Sequence, residues 1–497
     1  MVVGGDASLS SGAQTSSPGW ATASEIDSFL QKERADLKLS GLAVVVISQR
    51  SIIFERGYGD AAPEGPAVTL NTPFVLGSTS KQLTGLAVQQ LIAQGRLSLD
   101  DTVGELLSSL GGKTSRLGGV TVRQLLSHQS GISTNAGTAD EFDLAPAFTS
   151  LRRETIHLLT STQEATPGRK FVYSNGNYTL LGAIIEALTG QPFEDALRTL
   201  VTRPLGLNTT TSDLALARSH GLAVGHYTWF GAIDSTTPGP RWPMGAPSAY
   251  TTSSVADLAR LVLADLGKRS GINQAVLTAA QAPLTTVNKY SKYASGWYVR
   301  SFWQLHDYNK NYDDPQLPLI YEHDGDTARE TSYLAFSPDL GFGVVVLSST
   351  GLGTDTGRFG DFTERLLHTI VGTQSAPRVV EPIVAAAPVI MVVLPLLQLG
   401  SAIFLAASFR GPRGSRISRW IPRVAAALVT LVTVIVAFLV VPAQTHQPLL
   451  DRAWWAGVPD LATSVAMSLL FVAASLVVAI MGTVRILRSP RDPSSEI

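Results

Sequence analysis

The sequence predicts a chain of the α/β class, in its α+β form. It expects one antiparallel sheet built from both ends of a globular domain, flanking helices, a mainly helical insertion, and then a three-helix transmembrane region. Three observations predict this. Paired apolar runs that read as hairpins lie far apart, near residues 41–58 and 331–348. The long stretch between them carries helical periodicity. From about residue 382 the composition turns strongly apolar, in blocks of about 20 residues, the length of a membrane span.

The elements follow in order. Residues 1–20 are mostly Gly, Ser, Ala and Thr, with few large apolar side chains, and read as a disordered tail. Residues 21–375 read as the globular domain. Within it, Ala23–Leu37 mixes apolar and charged residues at helical spacing. Gly41–Ser48 and Ile52–Tyr58 flank a short polar turn and read as an antiparallel hairpin. An apolar run, Pro73-Phe74-Val75-Leu76-Gly77, leads into a helix that opens at Ser78 and carries Leu83, Leu86, Ala87, Leu91 and Ile92. A helix-rich middle extends to about residue 300. Thr331–Ser337 and Phe342–Ser348, joined through Pro338-Asp339-Leu340-Gly341, form the second hairpin, and an amphipathic helix over Phe359–Val371 closes the domain.

Residues 376–497 read as a membrane region, with spans near 382–408, 421–441 and 461–480. These blocks hold no Asp, Glu, Lys or Arg apart from Arg423. Arg410, Arg413, Arg416 and Arg419 follow the first block, and Arg485, Arg488 and Arg491 follow the third. By the positive-inside rule these segments face the cytoplasm, which puts the globular domain outside. The expected location is therefore the cell membrane, multi-pass, with the domain extracytoplasmic and the lipid bilayer as a partner. Met1-Val2-Val3-Gly4-Gly5-Asp6 has neither the basic nor the apolar segment of a signal peptide, so either the true start lies upstream, the favoured reading, or the domain is cytoplasmic against the charge bias. No charge lies within the blocks to support an ion path, so anchoring is the simpler role.

Composition narrows the chemistry. A formal net charge of −1 gives no reason to expect a nucleic-acid partner. The absence of cysteine removes disulfides, thiolate metal sites and thiol nucleophiles. Glu322, His323, Asp324 and Asp326 invite a metal reading, but consecutive strand residues point to opposite faces, so no metal or other cofactor is expected.

The chemistry centres on Ser78-Thr79-Ser80-Lys81. Three residues apart at the start of a helix, Ser78 and Lys81 share one face. A hydroxyl becomes a nucleophile when a neighbouring base takes its proton, and a desolvated lysine can be that base. Lys81 is the only lysine with a serine three residues before it, and Tyr173-Ser174-Asn175 is the only Tyr-x-Asn. His128 looks catalytic in isolation.

Over residues 25–372 the chain resembles the serine β-lactamase and penicillin-binding-protein superfamily, in its class C-like branch. Ser78-Thr79-Ser80-Lys81 matches the S-x-x-K element and Tyr173-Ser174-Asn175 the Y-x-N element. His323-Asp324-Gly325 stands where the family has K-T-G or H-x-G. Supporting stretches are Val122–Gly131 and Tyr293–Trp297. The resemblance implies a β-lactamase/transpeptidase-like fold and a serine hydrolase that forms an acyl-enzyme on Ser78. It makes Lys81 the base and Tyr173 the proton relay to the leaving group. Asn175 would bond Lys81 or a substrate amide, and His323 replaces the lysine as a substrate-binding donor. Beside Gly325, the backbone N–H groups of Ser78 and Asp326 form the oxyanion hole. It makes His128 structural. The substrates it implies are D-amino-acid peptides, other cell-wall-related compounds or esters. A catalytically inactive relative that binds cell-wall material or a membrane partner is the alternative. The sequence does not fix the oligomeric state.

Overall fold

In the computed structural model, helix α1 (Ala23–Leu37) begins with a capping box. The Thr22 hydroxyl accepts the Glu25 N–H at 3.3 Å, and the Glu25 carboxylate accepts the Thr22 N–H at 2.7 Å. The structure describes residues 19–134, 136, 150–161, 163–229, 233–236, 245–302, 318–351, 357–373, 382–408 and 459–488. The expected tail lies almost wholly outside them, as does the expected span at 421–441.

Strands β1 (Gly41–Ser48) and β2 (Ser51–Gly59) form the first hairpin. Its two turn residues, Gln49 and Arg50, both have positive φ, 48° and 60°, the twist that a tight hairpin of right-twisted strands requires. Chain-ward of the middle come β3 (Thr285–Asn288), β4 (Ser291–Tyr293) and β5 (Tyr298–Ser301). Then follow β6 (Leu319–Asp326), β7 (Thr331–Ser337) and β8 (Phe342–Ser348). Together they make one eight-stranded sheet in the order β2-β1-β8-β7-β6-β5-β4-β3, with every neighbouring pair antiparallel. The two ends of the domain meet where β1 pairs with β8, Leu42 facing Ser348 and Ile47 facing Gly343.

Both faces of this sheet are covered. Along β1, Ala43, Val45 and Ile47 enter one apolar core with α2 (Ser80–Ala93), α3 (Asn175–Thr189) and α4 (Val255–Asp265). Leu42, Val44 and Val46 enter a second core with α1 and the closing helix α5 (Gly357–Val371). A strand buried on both faces needs apolar residues throughout, which explains why β1 reads as a continuous run rather than an alternation. Glu33 of α1 is buried, and its carboxylate accepts from Arg365 of α5 at 2.6 Å.

Two features depart from the sequence reading. Strands β3, β4 and β5 lie in the stretch expected to be helical. The α-helix also begins at Ser80, because Gly77–Thr79 form a 3-10 turn that holds Ser78 just ahead of it.

The C-terminal part contains α6 (Pro382–Ser408, 27 residues) and α7 (Pro459–Arg488, 30 residues), which pack on each other. The Ser464 hydroxyl donates to the Met391 carbonyl at 2.7 Å. Among the described residues no helix is long and apolar enough to cross a membrane.

Candidate active site

The turn Gly77–Thr79 lies against the end of β6, and two glycines permit the approach. Gly77 has φ +56°, and a Cβ there would lie 2.6 Å from the Asp326 nitrogen. At Gly325 a Cβ would overlap the Leu76 carbonyl oxygen and the Ser332 hydroxyl and lie 3.0 Å from the Ser78 nitrogen. The two segments thus bring the backbone of Ser78 alongside that of Gly325 and Asp326. The Thr79 hydroxyl stabilises the turn, donating to the Leu76 carbonyl at 2.8 Å and lying 2.9 Å from the Ser332 hydroxyl.

Ser78 Oγ sits between two groups from different elements. Lys81 Nζ, one turn along, is 2.9 Å away, and the Tyr173 hydroxyl, just before α3, is 2.8 Å away. Lys81 is fully buried, and its Nζ also donates to Asn175 Oδ1 at 2.7 Å and to the Ser248 carbonyl at 2.8 Å. Those two partners can only accept. Nζ also donates to Ser78 Oγ; if it loses that proton, the bonds to Asn175 and Ser248 can persist and its lone pair then faces Ser78 Oγ. The Tyr173 O–H donates to the same oxygen. Burial, with Tyr298 nearby, pushes the Tyr173 hydroxyl well above its ordinary value, against the opposing Ser78 hydrogen bond. Tyr173 is therefore protonated and able to donate.

The segment that carries Tyr173 is held by His128. The His128 carbonyl accepts the Val172 N–H at 2.8 Å. Its Nδ1 accepts the Ser174 N–H at 3.2 Å and lies 3.0 Å from Asn177 Nδ2. These contacts straddle Tyr173, whose ring packs on the imidazole with centroids 4.4 Å apart. His128 has φ +55°, an unusual conformation for a residue with a side chain, retained where the surroundings over-determine it. Burial, then the charge of Lys81, holds its pKa well below the ordinary value, so the ring is neutral. The Thr134 hydroxyl adds a bond to the Tyr173 carbonyl at 2.7 Å.

His323 on β6 is 2% exposed. Its Nδ1 faces the carbonyl of Asp324, and its Nε2 lies 3.2 Å from the Tyr293 hydroxyl. A carbonyl only accepts, so Nδ1 carries the proton and Nε2 accepts from Tyr293. Burial pushes the His323 pKa down to about 4, with Asp324 opposing the shift and Lys81 reinforcing it. The ring is thus neutral and both its nitrogens are engaged within the protein. The sequence reading had given it to the substrate as a donor.

The structure therefore gathers Ser78, Lys81, Tyr173 and Asn175 into one hydrogen-bonded cluster. It sets Gly325 and Asp326 against Ser78, and it places His323 in the tyrosine-lined wall behind. Two contributors escaped the sequence reading. The Ser248 carbonyl comes from the turn Ala246–Tyr250, and a backbone acceptor leaves no signature in residue type. The other was how His128 acts: the resemblance made it structural, but its hold on the residues either side of Tyr173 appears only in the fold.

A serine activated by a buried lysine, between an antiparallel sheet and a helical region, defines the class of serine acyl-transfer enzymes built on the β-lactamase and penicillin-binding-protein fold. The β-lactamase family model matches residues 26–368, and the chain belongs to that family. Penicillin-binding protein 4 of Amycolatopsis lactamdurans is 31% identical over 336 residues, covering 64% of this chain and 82% of that protein. Protein flp of Staphylococcus aureus strain MW2 is 24% identical, covering 65% of this chain and 62% of its own length. The fold is shared with the octameric penicillin-binding protein homologue of Pyrococcus abyssi (TM-score 0.60, 23% identity, 71% of this chain and 78% of that chain). It is shared equally with a class C β-lactamase of Rhodobacter sphaeroides (TM-score 0.59, 23% identity, 70% of this chain and 99% of that chain).

Proposed function

We propose that the protein is a membrane-anchored serine hydrolase that forms an acyl-enzyme on Ser78 and acts outside the cytoplasm on D-amino-acid peptides, other cell-wall-related substrates or esters. The observation that carries the reading is the position of Ser78 Oγ, 2.9 Å from Lys81 Nζ and 2.8 Å from the Tyr173 hydroxyl. Ser78 attacks the acyl carbon as its proton passes to Lys81. The developing oxyanion takes the backbone N–H groups of Ser78 and Asp326. Tyr173 gives its proton to the departing group and is reprotonated from Lys81. Water then releases the acyl group along the reverse path. Asn175 and the Ser248 carbonyl orient the lysine throughout.

Anchoring is supported by residues 382–408, which contain no Asp, Glu, Lys or Arg. It is also supported by large apolar side chains exposed on the two C-terminal helices, among them Val389, Leu397, Phe404, Leu470 and Ile480. The arginines after residue 408 and near the C-terminus favour an outside catalytic domain. Labelling with a fluorophosphonate and with a fluorescent penicillin tests the enzyme reading. The wild-type chain should be labelled and Ser78→Ala should not. No label on either protein, or equal label on both, removes the hydrolase in favour of a binding protein.

A further inference from the structure

Ser332 of β7 is fully buried, and the chemistry at Ser78 makes no direct use of its hydroxyl. It sits opposite Gly325 in the pairing of β6 with β7. Its Oγ donates to the Leu76 carbonyl and lies 2.9 Å from the Thr79 hydroxyl. The Thr79 hydroxyl also donates to the Leu76 carbonyl, at 2.8 Å. The Leu76 N–H is held in turn by the Thr251 carbonyl at 3.0 Å.

Three buried oxygens therefore form a triangle between the turn and the sheet. Two hydroxyls supply two protons for its three sides. They cannot point at each other at once, so the Leu76 carbonyl always receives at least one. Gly325 makes the triangle possible. A Cβ there would lie 2.3 Å from Ser332 Oγ and 2.0 Å from the Leu76 oxygen. The missing side chain is a slot in β6, and through it a side chain of the next strand reaches the turn.

The triangle bears on the oxyanion hole because the two donors of that hole come from different segments. The Ser78 N–H belongs to the turn and the Asp326 N–H to the end of β6. Each must stand about 2.7–3.1 Å from the oxygen it serves. Only Gly77 lies between the Leu76 carbonyl and the Ser78 nitrogen, and a glycine has no side chain to hold its own conformation. Fixing the Leu76 carbonyl to β7 thus fixes where the Ser78 N–H points relative to Asp326.

We infer that Ser332, together with Thr79, is a positioning residue that sets the oxyanion hole by latching the turn of Ser78 to the sheet. The inference rests on the acyl-enzyme reading and deepens it. The proton path through Lys81 and Tyr173 uses neither hydroxyl. The latch also leaves alone the other edge of β6, where pairing with β5 ends at Glu322. Its loss should weaken oxyanion stabilisation and spare substrate binding.

The test compares p-nitrophenyl butyrate with p-nitrophenyl thionobutyrate, using the full-length chain in detergent. The two share an acyl chain and a coloured leaving group, and differ only in sulfur for the carbonyl oxygen. Sulfur accepts hydrogen bonds weakly, so the oxygen-to-sulfur ratio of kcat/KM reads the hole rather than the proton relay. Ser332→Ala should lower kcat on the ester about tenfold, with KM within about twofold, and lower the oxygen-to-sulfur ratio about fivefold or more. Thr79→Val keeps the shape and loses the hydroxyl, and should lower the ratio about threefold. Thr79→Ser keeps the hydroxyl and should hold the ratio within about twofold of wild type. A ratio that Ser332→Ala leaves unmoved overturns the inference, whether or not activity falls. If Ser332→Ala does not fold, Thr79→Val against Thr79→Ser decides on the same ratio. If ester turnover is too slow to read, the rates of Ser78 modification by a p-nitrophenyl phosphonate and its thiophosphonate replace it. Labelling of wild-type Ser78 by a fluorophosphonate separates the two failures. A labelled Ser78 with an unmoved ratio loses only this inference, whereas an unlabelled Ser78 loses the hydrolase reading and this inference together.

Discussion

At the residue scale, the proposed mechanism divides the proton work at Ser78 between two side chains, Lys81 and Tyr173. Lys81→Ala removes the group that receives the Ser78 proton. Acylation, read as the rate of fluorophosphonate labelling, should fall by a factor on the order of 10³. Labelling within a few-fold of wild type would move the base elsewhere. His128 has a different role. Its Nδ1 and carbonyl hold Val172, Ser174 and Asn177 around Tyr173. His128→Ala leaves the Ser174 N–H and the Asn177 amide without that acceptor, which costs about 2–4 kcal/mol of stability. Beyond this loss, kcat should fall with little change in KM, because Tyr173 loses its support while the binding edge is intact. A proportionate rise in KM would argue against the clamp.

Buried His323 makes its own contribution to the response to acid. For His323 the folded pKa, about 4, lies below the ordinary 6.5, so between those values the unfolded chain binds more protons than the folded one. The contribution of His323 to stability therefore rises with pH in this window, against that of Asp265, whose carboxyl burial pushes up to about 7. It is complete above about 6.5 and is lost as pH falls towards 4, by at most about 3 kcal/mol for this residue. Thermal melts of wild type and His323→Gln across this window should diverge, with the variant less sensitive to pH. Parallel curves would show that His323 is not the group responsible.

At the element scale, β6 is the piece that organises the site. Alternate residues serve opposite faces. Gly325 admits the turn bearing Ser78, and His323 enters the tyrosine wall. Glu322 points the other way, accepting from Arg300 at 3.0 Å and from the Tyr333 hydroxyl. Arg300 reaches on to Glu364 of α5 at 2.8 Å, and His368 lies 3.4 Å from the same carboxylate. Gly325→Ala should push β6 away from residues 76–78 and abolish Ser78 labelling, while the far-ultraviolet circular dichroism of the domain stays native-like. Wild-type labelling would mean that this close approach is not needed.

The elements also show what a sequence reveals. Ser78, Lys81 and Tyr173 are legible because side-chain identity carries their chemistry. The hairpins β1–β2 and β7–β8 are legible because long apolar runs flank short polar turns. Strands β3 to β5 are not, since Thr285–Asn288, Ser291–Tyr293 and Tyr298–Ser301 are short and half polar, and their pairing rests on neighbours rather than on pattern. The involvement of both His323 nitrogens was equally hidden, because Tyr293 and the Asp324 carbonyl reach it only through the fold.

At the scale of the whole molecule, the proposal gives the globular domain the chemistry and the apolar C-terminal region the anchoring. Full-length protein should sediment with membranes and resist alkaline carbonate, while a chain ending at residue 375 should stay in the supernatant and keep Ser78 reactive. Release of the intact chain by carbonate would remove the anchor. Under the proposed topology a periplasm-dependent reporter fused after residue 497 should be silent, and activity of that reporter would overturn it.

The seam between β1 and β8 has a consequence for the birth of the protein. Leu42 must find Ser348, roughly three hundred residues later, before the central sheet can close. Folding of this kind is slow, because the entropy of a long loop is spent before the contact that rewards it. Ribosome-bound chains that have not yet emitted β8 should therefore carry Ser78, Lys81 and Tyr173 and still leave the nucleophile inert. Reactivity should arrive in one step when the last strand emerges, so the enzyme is synthesised as a long latent intermediate rather than assembled motif by motif.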